Sequence, residues 1–302
     1  KVGEVKLEKP IEVLFEGADE DIYKPLDDSS LDLIDDIKED FCYLMVGQWG
    51  KGAYGEDRKD IGTLIKTFYE TFANKKKQPA LILKTNGATY SIMDKEECLK
   101  KINSVKSLFP SDWKLPNIYL LHGSLSDDEM NKLYNHSKVK GMVLFTHGEG
   151  FGRPLLEASM VGLPIISTNW SGHIDFLNGN DCILLGGKLK QVPKTQVWKD
   201  IIIEQSNWFY VDETEARNSL THMFNNYEEY KKKASILMNK NRKTFTLKNM
   251  SKKLNSILDK VTENMPTQVG IQLPKLKRVS DNSQPPSPKI ELPKLKKVTE
   301  TV

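Results

Sequence analysis

The sequence lacks any long apolar run. Its hydrophobic stretches break off well short of the about twenty residues needed to cross a bilayer, so no membrane span is expected. Cysteine is scarce: Cys42, Cys98 and Cys182 are far apart and odd in number. They show neither metal nor redox spacing. All three are expected to be reduced, which fits a cytoplasmic setting. The five histidines show no metal-ligand spacing either, so no metal site is expected. Charge of one sign is not in excess. A net charge of +3 on 302 residues does not argue for nucleic acid, and no basic–aromatic array accompanies the apolar runs. Lys1 opens the chain with no signal-like segment, and the missing initiator Met reads as a fragment or a processed product.

What is present separates into three regions. Residues 1–40 hold one strand-like run, Ile11-Glu-Val-Leu-Phe15, then an acidic stretch. Residues 41–262 alternate apolar runs with amphipathic ones. Residues 263–302 are rich in Pro, Lys, Ser and Gln, and Leu273-Pro-Lys-Leu-Lys-Arg-Val279 returns as Leu292-Pro-Lys-Leu-Lys-Lys-Val298. Such a tail cannot bury enough apolar surface to offset its ordering entropy. It is expected to be disordered, as a solvated linker or as a doubled motif for a partner.

The middle region carries strand-like runs at Phe41–Val46, Ala80–Leu83, Asn117–Leu121, Gly141–Phe145, Pro164–Ser167 and Cys182–Leu185. Helical patterns lie between them, as where Ile61, Leu64, Ile65 and Phe68 recur on one face. Strands apolar throughout, alternating with helices, predict an α/β fold: a Rossmann-like parallel sheet with helices on both faces. After Leu185 the sheet pattern ends, and 213–240 and 246–262 read as helices. Parallel sheets bind ligands at the carboxyl ends of their strands.

At one such end lies Gly148-Glu-Gly-Phe-Gly-Arg-Pro-Leu-Leu-Glu-Ala158. Gly150 and Gly152 permit a tight turn and a close backbone approach. Pro154 suits the first position of a helix, whose free N–H groups and dipole favour an anion. Glu149 and Glu157 bracket the turn, and carboxylates hold hydroxyls. Hydroxyls on both sides of a diphosphate describe a nucleotide sugar. Taken alone, the glycine turn could belong to any phosphate-binding α/β domain, and Arg58 and Lys59 could be solvated helix-start charges.

Glu149 and Glu157, with seven residues between them, together with Leu156-Glu-Ala158 and Gly162-Leu-Pro164, resemble the retaining GT-B glycosyltransferases, notably glycosyltransferase family 4. The resemblance covers residues 11–262 and looks closest to a phage- or virus-type branch. It implies the C-terminal, donor-binding domain of a GT-B fold. It also implies that Glu149 binds the donor sugar, that Glu157 binds the ribose, and that the backbone of Gly150, Phe151 and Gly152 meets phosphate. Gly47 matches the glycine ending the family's first strand, and Lys59 matches the phosphate-binding lysine. Gln48 stands where arginine is usual, and an insertion, Trp49–Asp57, separates the two halves of that motif. Arg58 is the substitute cation. Tyr119-Leu-Leu-His-Gly123 looks like the base-proximal loop, which assigns Leu121 and His122 to the nucleobase. Gly172, in Trp170-Ser-Gly-His173, falls where the family has glycines near the donor.

The resemblance implies transfer of a sugar from a UDP- or GDP-sugar to a hydroxyl acceptor (glycan, lipid or modified macromolecule), retaining, and with no cofactor beyond the donor. The chain is expected to begin at the interdomain segment, so the alternative is a donor-binding or scaffolding module without turnover. A phosphate-binding regulator on a similar sheet is a further possibility. Trp49, Trp113, Trp198 and Trp208 read as packing residues, while Trp170, His122 and His147 read as pocket positions. His136 and His222 read as structural or exposed.

Overall fold

The computed structural model describes residues 9, 11–27, 29–52 and 54–263. The chain divides into two units, 1–260 and 261–302. Of the second, only 261–263 are described, and the doubled Leu-Pro-Lys-Leu motif lies outside the described residues.

Among the described residues, six strands form one parallel sheet: β1 (Cys42–Val46), β2 (Ala80–Lys84), β3 (Ile118–Leu121), β4 (Val139–Leu144), β5 (Ile165–Thr168) and β6 (Ile183–Leu185). Their order is β3-β2-β1-β4-β5-β6. The helices are α1 (Asp32–Asp35), α2 (Ile61–Phe72), α3 (Ile92–Lys106), α4 (Asp127–Asn135), α5 (Arg153–Met160), α6 (Glu213–Asn225), α7 (Tyr227–Thr244) and α8 (Leu247–Thr262). Every residue of β1, β2 and β5 is buried, which is why these strands read as unbroken apolar runs rather than alternating ones.

Crossovers between parallel strands are right-handed. The chain moves one way from β1 to β3 and the other way from β3 to β6, so α2 and α3 cover one face and α4 and α5 the other. Tyr43 of β1 marks the first face. Its ring meets Phe68 and Phe72 of α2 at 6.1 and 6.3 Å, and its hydroxyl donates to the Leu220 carbonyl of α6 at 2.7 Å. The order reverses between β1 and β4, and the carboxyl ends of those two strands border the crevice where such sheets bind ligands.

Three sequence expectations are corrected. Ile11–Phe15 forms no strand; Ile11 and Val13 are 69% and 68% exposed. The stretch 213–240 is not one helix, because Asn226 breaks it between α6 and α7. The sheet pattern also does not end at Leu185. An antiparallel hairpin follows, β7 (Gly187–Gln191) paired with β8 (Asn207–Val211). All of β7 is exposed, so its Lys188 and Lys190 leave no apolar pattern. Asn207-Trp-Phe-Tyr-Val211 does carry a strand signal.

The hairpin grips the carboxyl end of β4 through His147. The Phe209 amide donates to the His147 carbonyl at 3.2 Å, and His147 Nδ1 donates to the Phe209 carbonyl at 2.7 Å. The imidazole packs on Trp208 at 4.9 Å and on Tyr210 at 4.2 Å. His147 is therefore a structural clamp and not a pocket residue. Trp49 and Trp208 are buried as expected, whereas Trp198 is 65% exposed and Trp113 is 40% exposed.

The turn leading into α2 holds two buried carboxyls. Asp57 Oδ1 accepts from the Lys59 amide at 3.1 Å. Asp60 caps α2 with left-handed backbone, φ 49°, and its Oδ2 lies 3.8 Å from His147 Nε2. Burial, helped by Asp60, raises Asp57 to about 6. Burial raises Asp60 from 3.8 to about 7. A carboxyl raised in the folded state holds a proton that the unfolded chain has released, so folding stability falls as pH rises through that window. Asp60→Asn should therefore melt a few degrees above wild type at pH 8. That advantage should shrink steadily as pH falls from about 7 towards about 4. Thermal melts across pH check this, and a pH-independent difference would contradict it.

Candidate active site

The turn from β4 to α5 is the centre of the site. Gly152 takes φ +93° as the N-cap of α5, and a Cβ there would lie 3.0 Å from His173 Cβ. Arg153 is the first helical residue and Pro154 the second, one place later than the sequence reading put it. The proline lacks only an N–H that a first turn leaves unpaired anyway. Phe151 points inward against Phe176 at 5.0 Å, so it can offer a ligand only its backbone. Gly150 has open space where a side chain would be, while Gly172 has none: a Cβ there would fall 2.0 Å from the Gly150 carbonyl oxygen. The close approach is sealed by the Gly172 amide, donating to the Glu149 carbonyl at 3.0 Å. Ser171 Oγ donates to that same carbonyl at 2.6 Å and accepts from the Glu149 amide at 3.1 Å. The Trp170-Ser-Gly-His173 turn thus fixes the Glu149 backbone, and Trp170 itself stacks on Phe209.

Glu149 gathers the predicted cations. Lys59 Nζ lies 2.7 Å from Oε1, with both side chains buried, and Arg58 Nη1 lies 3.0 Å from Oε2, with its side chain 48% exposed. Arg58 also donates to the Gly148 carbonyl at 2.7 Å. Gly47 lets the lysine stem pass, since a Cβ there would meet Lys59 Cε at 2.9 Å. Burial pushes the Glu149 carboxyl up, but the Lys59 and Arg58 charges outweigh it and hold the group below its usual range. Burial lowers the Lys59 ammonium, with Glu149 opposing the shift. The result is a buried ion pair with one surplus, more exposed cation beside the N-terminus of α5, an arrangement suited to a dianion.

Glu157 keeps separate company. It is buried in α5, where Tyr134 Oη donates to its Oε2 at 3.1 Å and Arg153 lies 3.5 Å from its Oε1. Burial raises its pKa. Tyr23 hydrogen-bonds Asp127 of α4 at 3.1 Å and tilts on Tyr134 at 6.3 Å. Further along the sheet edge, Leu121 ends β3, and His122 Nε2 sits 2.8 Å from Asp94 Oδ2. Asp94 also accepts the amides of Gly87 at 2.8 Å and Ala88 at 2.7 Å.

The structure thus joins Gly47, Arg58, Lys59, Glu149, Gly150, Gly152 and Gly172 at one turn. Glu157, with Tyr134 of α4, and His122, with Asp94 of α3, stand apart with partners of their own, and Leu121 ends β3. Sequence reasoning missed Tyr134, Asp94 and Ser171, whose roles depend on contacts between distant segments; only Ser171, inside the quoted turn, had a local signal. Among the described residues no three His, Cys, Asp or Glu side chains cluster as a metal site. His136 is buried and pairs with Asp35 at 2.8 Å.

Residues 111–188 match the family described as glycosyl transferases group 1. No curated protein matches the chain. Among solved structures, sucrose-phosphate synthase from Thermosynechococcus elongatus is similar at TM-score 0.60 and 14% identity, over 83% of this chain and 53% of that one. Anabaena HepE in complex with UDP-glucose is similar at TM-score 0.57 and 15% identity, over 82% of this chain and 57% of that one. The C-terminal domain of a glycosyl transferase group 1 family protein (LpcC) from Francisella tularensis is covered completely, at TM-score 0.52 and 14% identity, over 76% of this chain. The chain therefore spans just over half the length of the first and second of these proteins and the whole of the third, a single domain. Over residues 111–188 it matches the group 1 glycosyl transferase family, on a sheet domain that shares the fold of these solved structures.

Proposed function

We propose that this chain is the donor-binding part of a glycosyltransferase moving a sugar from a nucleoside diphosphate sugar to a hydroxyl acceptor. The observation that carries the reading is the buried Lys59–Glu149 pair, 2.7 Å apart, at the turn into α5. A diphosphate at that turn receives the free amides of the helix start and the unused donors of Lys59 and Arg58. As the cations turn to phosphate, Glu149 regains acceptor capacity for the sugar hydroxyls. Glu157, with Tyr134 behind it, faces the ribose. HepE, one of the similar structures, is described in complex with UDP-glucose.

In the transfer, the bond from the anomeric carbon to the diphosphate breaks, and the leaving oxygen takes the electron pair. The acceptor oxygen bonds to the same carbon and gives up its proton to an oxygen of the departing diphosphate. Lys59, Arg58 and the helix N-terminus stabilise the charge growing on the leaving group. Retention of configuration and independence of metal belong to this proposal, as does a reducing compartment for the buried, unpaired Cys42, Cys98 and Cys182. The second reading is a binding module without turnover.

Calorimetric titration with UDP, GDP and their sugar conjugates in EDTA tests the site. Saturable binding is expected, with Lys59→Ala weakening nucleotide binding about tenfold or more and Glu157→Ala abolishing it. A folded chain that binds no nucleoside diphosphate would sink the reading. Glu149→Gln separates sugar from phosphate. It should retain or tighten UDP or GDP binding, because the competing carboxylate charge is gone, and lose the extra affinity that the sugar supplies. If the folded variant keeps the wild-type preference for the sugar conjugate, Glu149 does not bind the sugar. Product formation once an N-terminal domain is supplied distinguishes the enzyme from the binding module.

A further inference from the structure

One buried charge is not used by this reading. Lys84 is the last residue of β2 and only 9% exposed. Its register partners are Val46 on β1 and Leu121 on β3. Register partners in a parallel ladder point to the same side, and side chains alternate along a strand. Tyr43 faces α2, so Val46, three residues on, faces the opposite side, and Lys84 with it. That is the side of α4 and α5, which carry Tyr134 and Glu157.

The lysine head lies at the carboxyl end of the sheet, against the loop after β3. Its Nζ donates to the Gly123 carbonyl. An ammonium has three donors. Among the described residues Gly123 is the one hydrogen-bond partner shown for it, and no carboxylate pairs with it. Lys59, in contrast, is matched by Glu149. Burial without a counter-charge lowers the Lys84 pKa. A charge buried this way is costly, and the neighbouring positions of the same strand are filled by Leu81, Ile82 and Leu83. The loop it touches is held by the His122–Asp94 contact of 2.8 Å, and a side chain at Gly123 would meet no atom within 4 Å. The ammonium therefore lies against the backbone of a loop that has open space at Gly123.

An ammonium donates and never accepts. It favours a ring carbonyl, such as O4 of uracil or O6 of guanine, and gains nothing from the amino group that cytosine or adenine presents in the same place. The phosphates already have Lys59, Arg58 and the start of α5, all at the β1–β4 reversal. Lys84 stands one strand further towards β3, beside Leu121. We propose that Lys84 reads the nucleobase of the donor, selecting oxo-bases over their amino counterparts. This rests on the donor-site reading above.

The test is calorimetry of the whole chain with UDP, CDP, GDP and ADP. Wild type should bind the oxo member of a pair at least about tenfold tighter than the amino member, and Lys84→Met should bring that pair to within about twofold, with its melting temperature maintained. Wild type without an oxo preference overturns the proposal, whether or not the variant folds. Equal weakening of all four nucleotides in the variant also overturns it, since that marks a phosphate contact or a structural role. A selectivity unchanged in Lys84→Met, with binding still lost in Glu157→Ala, sinks this inference and leaves the donor site standing. Absence of binding by wild type sinks the donor site and this inference together.

Discussion

The ion pair between Lys59 and Glu149 is the constraint on which the site depends. Its partners come from the loops after β1 and β4, the two strands where the sheet reverses. Burying two charges is expensive, and their attraction repays the cost only when geometry and further hydrogen bonds are good. Here the surroundings supply both. Gly47 leaves room for the lysine stem, and Ser171 and Gly172 hold the Glu149 backbone. Asp57 accepts from the Lys59 amide. Removing Glu149 leaves Lys59 buried and unpaired, and removing Lys59 leaves Glu149 only the more exposed Arg58, so this contact sets the two loops relative to each other.

The additions to the sheet act on this pair from behind. The insertion between β1 and α2 places Trp49 in the core, and Lys101 of α3 lies over its ring and donates to the Gly50 carbonyl at 3.0 Å. From the hairpin connection, Thr195 donates to Glu56 at 2.8 Å and Gln196 to the Lys51 carbonyl at 2.9 Å. His147 closes the circuit, because its amide donates to the Arg58 carbonyl at 2.8 Å while its ring is held by β8. The Trp49–Asp57 insertion, read from the sequence, is therefore braced by the hairpin, which the sequence reading missed.

Legibility followed locality. Strands buried on both faces announced themselves, because every position had to be apolar. The glycines and glutamates of the turn into α5 were legible because their roles arise within a dozen residues. Arg58 and Lys59 were found by resemblance, and only the fold could bring them onto Glu149, which for Lys59 is 90 residues away. His147 was misread because a histidine beside a glycine at a strand end looks the same in sequence whether it faces a ligand or a hairpin. Ile11–Phe15 looked like a strand because alternation and apolarity are necessary for one, but a neighbour to pair with is also required, and the sheet edge lies elsewhere.

Two buried lysines, one in the turn into α2 and one at the end of β2, make the last contrast. Lys59 and Lys84 both approach the carboxyl end of the sheet with most of their surface covered. One is neutralised in place and the other is not. A neutralised lysine can exchange its carboxylate for a phosphate at little change in local charge, which suits the diphosphate proposed for that turn. An uncompensated lysine cannot stabilise a dianion without joining the same cluster, from which the sheet separates it by a strand. Its burial has to be answered by neutral oxygens. The Gly123 carbonyl answers one donor, and a base carbonyl is a neutral oxygen that the donor would bring. In the proposed site, charge balance along the sheet edge would divide the ligand, with its charged centre at the reversal and its neutral end over β2 and β3.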